Sequence, residues 1–320
     1  VSASLVTLKD IDASVALVRE KLHRTPLLSA QTLGQRNDVE LYFKAELFQK
    51  TGSFKPRGIL YRISRLTEEE KAHGVITISA GNAAQAVAYG AQQMGIPATV
   101  LMSEKAVQSK VDATRGYGAN VILHGQSMTA LMPKMLEIQA EQGQIFVPPF
   151  DDMDIIAGHG TLGYEILEDL PDVDTVVVSI GGGGLIAGIA AAIKQKNPNV
   201  RMIGVEPVGA SVMIPSVEQG KAYTIDSLNT IADGLAAPFA GEHTLRHVQA
   251  FVDELVLVTD DEIRQALHLI VERSKLVAEP SAAASYAALL FEKFSLRAGE
   301  KIVCVLSGGN IDPAVLKAIL

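Results

Sequence analysis

Nine short apolar runs recur along the chain at intervals too wide for hairpins. They are LYFKAE (41–46), VITIS (75–79), ATVLM (98–102), NVILH (120–124), IFVPP (145–149), TVVVSI (175–180), RMIGVE (201–206), ELVLV (254–258) and KIVCVL (301–306). Each is rich in β-branched residues and bounded by Gly, Pro, Asn or charge, which predicts a strand. Segments with helical spacing lie between many of them, at 82–94, 127–142, 185–196, 260–275 and 281–294. Strands apolar along their whole length, alternating with helices, predict open, mostly parallel sheets covered on both faces. The fold class is therefore α/β. The turn-rich stretch PPFDDMD (148–154) divides the alternation into two blocks. The expected domains are a small one over 50–147 and a large one formed by 1–49 with 148–320, with the site in the cleft between them.

Composition removes several classes of function. Lys and Arg number 28 against 36 Asp and Glu, a net charge of −8, and Trp is absent. An acidic chain poor in aromatic residues is a poor partner for nucleic acid. The start of the chain lacks a basic segment before an apolar run, and the longest apolar stretches, such as 185–193, reach only about half of the ~20 residues of a membrane span. No membrane partner is expected. The one cysteine, Cys304, excludes an intrachain disulfide and a multi-cysteine zinc site, and suits a reducing, cytoplasmic setting.

Three Gly-containing turns stand directly after predicted strands: SAGNAA (79–84), GGGG (181–184) and SGGN (307–310). In open parallel sheets, ligands bind beyond the carboxyl ends of strands, so three such turns can converge on one crevice. Four successive glycines before a helix starting near Leu185 expose backbone N–H groups at the positive end of the helix, a cradle for phosphate. A tight strand–helix turn is the alternative. No Lys-Ser/Thr follows, which rules out a P-loop; Glu206, ending the next strand, leaves a dinucleotide site as a minor possibility. A second feature, KTGSFKPRG (50–58), is either a solvated basic turn or the seat of a reactive lysine. Apolar Phe54 beside Lys55 favours desolvation and a lowered amine pKa, the property a Schiff-base lysine needs.

LFQKTGSFKPRG (47–58), SAGNAAQAVAYGA (79–91), SIGGGGLIAGIA (179–190), TIADGLA (230–236) and VLSGGN (305–310), in this order, resemble the fold type II pyridoxal-phosphate enzymes. Among these the chain is most similar to the serine/threonine dehydratases and serine racemases, from HRTPLL (23–28) to SGGN. The resemblance implies a homo-oligomer, dimer or tetramer, acting on a small amino-acid substrate, and gives the residues roles. Lys55 would carry the cofactor as a Schiff base and take the substrate Cα proton. Gly181, Gly182, Gly183, Gly184 and the Leu185 N–H would hold the phosphate. Asn82 would bond the phenolic oxygen, Phe54 and Gly234 would flank the ring, Glu279 would stand near it, and Ser307 would face the pyridine nitrogen. Ser79, Ala80, Gly81, Asn82 and Ala83 would receive the substrate carboxylate.

A neutral hydroxyl at Ser307 makes a weaker electron sink than a carboxylate there, which suits β-elimination. The racemases carry a serine acid/base where this chain has Ala80; Ala80 favours dehydration. Ala83 replaces a usual His, and His159 a usual Gln; a satisfied helix-start histidine is slightly preferred for His159. Related enzymes bind a divalent cation through a Glu, a carbonyl and an Asp. Glu206 and Ala210 match here, but Val212 replaces the Asp, so no metal is expected. The resemblance thus implies deamination of L-threonine or L-serine to a 2-oxo acid and ammonia. Racemisation of serine, dehydration of 3-hydroxyaspartate or phenylserine, and a non-catalytic cofactor-binding regulator are the alternatives.

Overall fold

The computed structural model describes residues 4–320. Ten strands form two sheets. They are β1 (Leu27–Ser29), β2 (Glu40–Ala45), β3 (Val75–Ile78), β4 (Ala98–Met102), β5 (Asn120–Leu123), β6 (Ile145–Phe146), β7 (Thr175–Ser179), β8 (Arg201–Pro207), β9 (Glu254–Val258) and β10 (Lys301–Leu306). One sheet has the order β1-β2-β10-β7-β8-β9, the other β5-β4-β3-β6. All pairings are parallel except β1 with β2. The three-residue β1 is too short to show a pattern in the sequence. β6 ends at Phe146, short of the expected 149, because Pro148 and Pro149 have no N–H to give a ladder.

Helices cover both sheets. Asn82–Met94 is as expected and stops at Gly95, at φ +66°. The expected helix over 260–275 is α-helical only over Asp260–Leu269; a π turn, Ile270–Ser274, then widens it, and Lys275 at φ +59° ends it. The expected helix over 281–294 runs instead from Pro280 to Leu290, with proline in its first turn, where the missing N–H costs nothing.

The site is positioned by two topological switch points. β10 and β7 are neighbours from which the first sheet grows in opposite directions, and the SGGN and GGGG turns leave their carboxyl ends. In the second sheet β3 lies between β4 and β6, and the SAGNAA turn leaves it. The sheets are joined by helix Pro56–Ser64 packing on helix Met153–Asp169. A Cβ on Gly158 would stand 2.4 Å from the Arg57 carbonyl oxygen, so only glycine allows this crossing. Beside it, buried Arg57 donates to Glu46 and Glu165 in paired contacts of 2.7–3.0 Å. The basic segment 50–58 is thus not a solvated turn. The 148–154 stretch is pinned as well. Asp152 caps the Met153–Asp169 helix and pairs with Arg62, while Asp151 accepts the N–H groups of Glu242, His243 and Thr244.

Candidate active site

The lysine turn is stitched to the SGGN turn by backbone hydrogen bonds. Phe54 N donates to Ser307 O at 3.0 Å, and Gly309 N to Gly52 O at 2.9 Å. Gly52 takes φ +73° here. The turn delivers Lys55 to the first turn of the Pro56–Ser64 helix. Its Nζ donates to the Pro149 carbonyl oxygen at 2.7 Å and lies 5.0 Å from the Phe54 ring centroid. No carboxylate pairs with it among the described residues. Burial therefore dominates and pulls its pKa down to about 8, with the Glu279 charge opposing.

The cleft before Lys55 has a volume of about 400 Å³. Every site residue expected from the sequence lines it: Phe54, Lys55, Ser79, Ala80, Gly81, Asn82, Ala83, Gly181, Gly182, Gly183, Gly184, Leu185, Gly234, Glu279 and Ser307. Gly183 sits at φ +93°, and a Cβ on Gly182 would stand 2.5 Å from the Phe150 ring. Helix Gly184–Lys196 follows at once, so its first-turn N–H groups have no helical partner and open on the cleft. Across the cleft, helix Asn82–Met94 also begins, behind Gly81.

Glu279 precedes the first residue of the Pro280–Leu290 helix, yet its side chain makes no cap bond there. Instead it accepts Asn82 Nδ2 at 2.8 Å, and Asn82 Oδ1 accepts Asn310 Nδ2 at 2.8 Å. Asn310 also donates to Thr51 O, closing a network from the lysine turn to the substrate-side helix. Burial, with Asp233 nearby, raises the Glu279 carboxyl to about 7. Asn310, the last residue of the SGGN turn, carries no signal in the sequence beyond that turn. The pair of Lys110 Nζ and Asp233 Oδ2, 2.6 Å across the cleft, left no sequence signal because the residues lie 123 apart.

His159 corrects an expectation. It lies in mid-helix in Met153–Asp169, not at a helix start. Fully buried, it meets the Phe54 ring edge-on at 4.9 Å between centroids and shares a 3.2 Å hydrogen bond with the Gly184 carbonyl. Burial drives its pKa down to about 3, so the ring is neutral and Nδ1–H donates. Its Nε2 has no partner among the described residues. Glu206 is committed elsewhere. Its carboxylate accepts the N–H groups of Val212, Met213 and Ile214 and the Ser211 hydroxyl, at 2.7–2.9 Å.

Comparison with known proteins agrees with this geometry. The profile of the family described as pyridoxal-phosphate dependent enzyme matches residues 18–308. The chain is 44% identical to the L-threonine ammonia-lyase of Thermotoga maritima, over 99% of this chain and 78% of that protein. It is 42% identical to the catabolic L-threonine dehydratase of Escherichia coli, over 96% and 94%. The structure of maize serine racemase superposes with a TM-score of 0.94 at 37% identity, over 98% of this chain and 97% of that one. No described helix is long and apolar enough to cross a membrane.

Proposed function

The chain belongs to the pyridoxal-phosphate-dependent enzymes, within their serine/threonine dehydratase group, and from that premise we propose that it deaminates L-threonine, and L-serine beside it, to a 2-oxo acid and ammonia. The residues present suit the cofactor. A side chain on Gly182 would strike the Phe150 ring and one on Gly183 would strike Met213 and Thr244, so only glycine lets the chain turn here into the start of helix Gly184–Lys196, whose first N–H groups can take a phosphate. Lys55 offers an amine with a lowered pKa and no carboxylate to hold it as a cation. The Ser179 hydroxyl, buried in the cleft wall, has no protein partner.

In this account Lys55 would bind the cofactor covalently, and Gly181 to Leu185 would take its phosphate. Asn82 and Ser307 would bond its ring substituent and nitrogen, with Phe54, Gly234 and Glu279 around the ring. When bound, the cofactor supplies an electron sink for negative charge developing at the substrate Cα. Lys55 Nζ, as a free amine with a lowered pKa, would take the Cα proton on one face. The Ser79 N–H is spent on Leu101 O and the Gly81 N–H on Ser79 Oγ, so the N–H groups of Ala80, Asn82 and Ala83, at a helix start, would orient the substrate carboxylate. Ala80 leaves the opposite face without a proton donor for return of the Cα proton; the β-hydroxyl would instead leave as water, taking up one proton, and the unsaturated amine released would add water to give the 2-oxo acid and ammonia. The observation that carries this is the convergence of Lys55, the glycine loop and an alanine-bearing substrate loop on one cleft. A cytoplasmic homo-oligomer completes it; Phe48 and Val277, each nearly half exposed, are apolar surface an assembly would cover.

The test is incubation of cofactor-saturated protein with L-threonine, L-serine, 3-hydroxyaspartate and phenylserine, with 2-oxo acid and ammonia measured together. Equimolar 2-oxobutanoate and ammonia from L-threonine, at a rate at least matching any other substrate, is the expected result. Turnover confined to racemisation, or no turnover with a fully loaded site, would overturn it.

A further inference from the structure

Ser179 is the last residue of β7, two positions before the glycine loop. It is 5% exposed, lines the same cleft as Lys55, and its hydroxyl has no hydrogen-bond partner among the described residues. A buried hydroxyl left unpaired is costly, and the cost is relieved by any group that enters and bonds to it. Its position says which group. Val177 of β7 is level with Cys304 of β10, so the two neighbouring strands carry Ser179 and Ser307 to the same end of the sheet. The Ile180 N–H is still spent on the sheet, donating to Val205 O at 2.7 Å. By that register Ser179 is level with Leu306, one position short of Ser307, and it lines the cleft below the point where the phosphate cradle begins.

We infer that Ser179 is a second cofactor-holding serine, whose hydroxyl completes its hydrogen bonding on pyridoxal phosphate outside the phosphate cradle. The inference rests on the cofactor placement proposed above. Wild-type protein that binds no pyridoxal phosphate would sink that placement, whereas the variant below tests Ser179 alone.

The experiment titrates pyridoxal 5′-phosphate, and separately inorganic phosphate, into cofactor-free wild type, Ser179→Ala and Tyr286→Phe, with melting temperatures recorded without and with cofactor. Tyr286 carries another unpartnered buried hydroxyl, in the core away from the cleft, and controls for removing such a group. In Ser179→Ala the cofactor dissociation constant should rise about 3- to 10-fold, the effect of one neutral hydrogen bond. Its cofactor-free melting temperature should hold or rise, and inorganic phosphate should bind as in wild type. Tyr286→Phe should leave the cofactor affinity unchanged. A cofactor affinity within twofold of wild type would overturn the inference. So would a fall in cofactor-free stability alongside the affinity, which would make Ser179 a packing residue, or an equal loss of phosphate binding, which would move its contact to the cradle.

Discussion

At the scale of single residues, Lys55 is held in a state the unfolded chain does not favour. Unfolded, its amine titrates near 10.5; folded, burial brings it to about 8. Between those values the unfolded chain binds the extra proton, so cofactor-free protein gains stability as pH rises from about 8 to 10.5, and below 8 the penalty is fully present. Lys55→Met should remove it, making cofactor-free protein about 1–3 kcal/mol more stable at pH 7 and flattening that part of the pH profile in denaturant titrations. A less stable variant with an unchanged slope would contradict the burial argument. Ala80 decides product in the same way, by what it lacks. Placed general acids contribute about 10²–10⁴-fold, so D-serine should form from L-serine far more slowly than pyruvate does. Ala80→Ser should raise the racemised fraction in chiral chromatography; comparable D-serine and pyruvate from the unaltered protein would refute the face assignment. Both residues were legible in the sequence because each sits in a contiguous motif. His159 was misplaced because its partners, Phe54 and Gly184, approach only in three dimensions.

At the scale of elements, turn chemistry carried most of the information. The glycine loop announced itself by four residues with no side chain, and the backbone explains the need: Gly183 is left-handed, and a Cβ there would stand 2.6 Å from Met213 Cε. Gly183→Ala should cost about 2 kcal/mol or more of stability and lower cofactor retention at least tenfold after gel filtration. Retention equal to wild type would mean that the loop does not hold the phosphate. Glu206 shows where the pattern reached its limit. The sequence registered a ligand position emptied by Val212, but not that the carboxylate would be occupied by three backbone N–H groups at the start of helix Met213–Gln219. A carboxylate so satisfied has little left for a cation. Chelator treatment should change turnover by less than twofold, and a large loss restored by Mg²⁺ or Ca²⁺ would show that a cation is held elsewhere.

At the scale of the whole molecule, the rhythm of apolar runs was enough for the α/β class, and strand boundaries followed within a few residues except where proline ended β6 early. The arrangement across the cleft was not legible. The Lys110–Asp233 pair, the Asn310–Asn82–Glu279 chain and the Arg57 cluster each join segments far apart in sequence, and no local periodicity encodes them. What unites the scales is that β7, β10 and β3 aim three turns at one lysine. The most direct measurement is reduction of the cofactor-loaded protein with borohydride, followed by peptide mass spectrometry. The phosphopyridoxyl group should be found on Lys55 in near-stoichiometric amount and be absent from Lys55→Ala. Its appearance mainly on another lysine, or its absence from protein saturated with cofactor, would contradict the account.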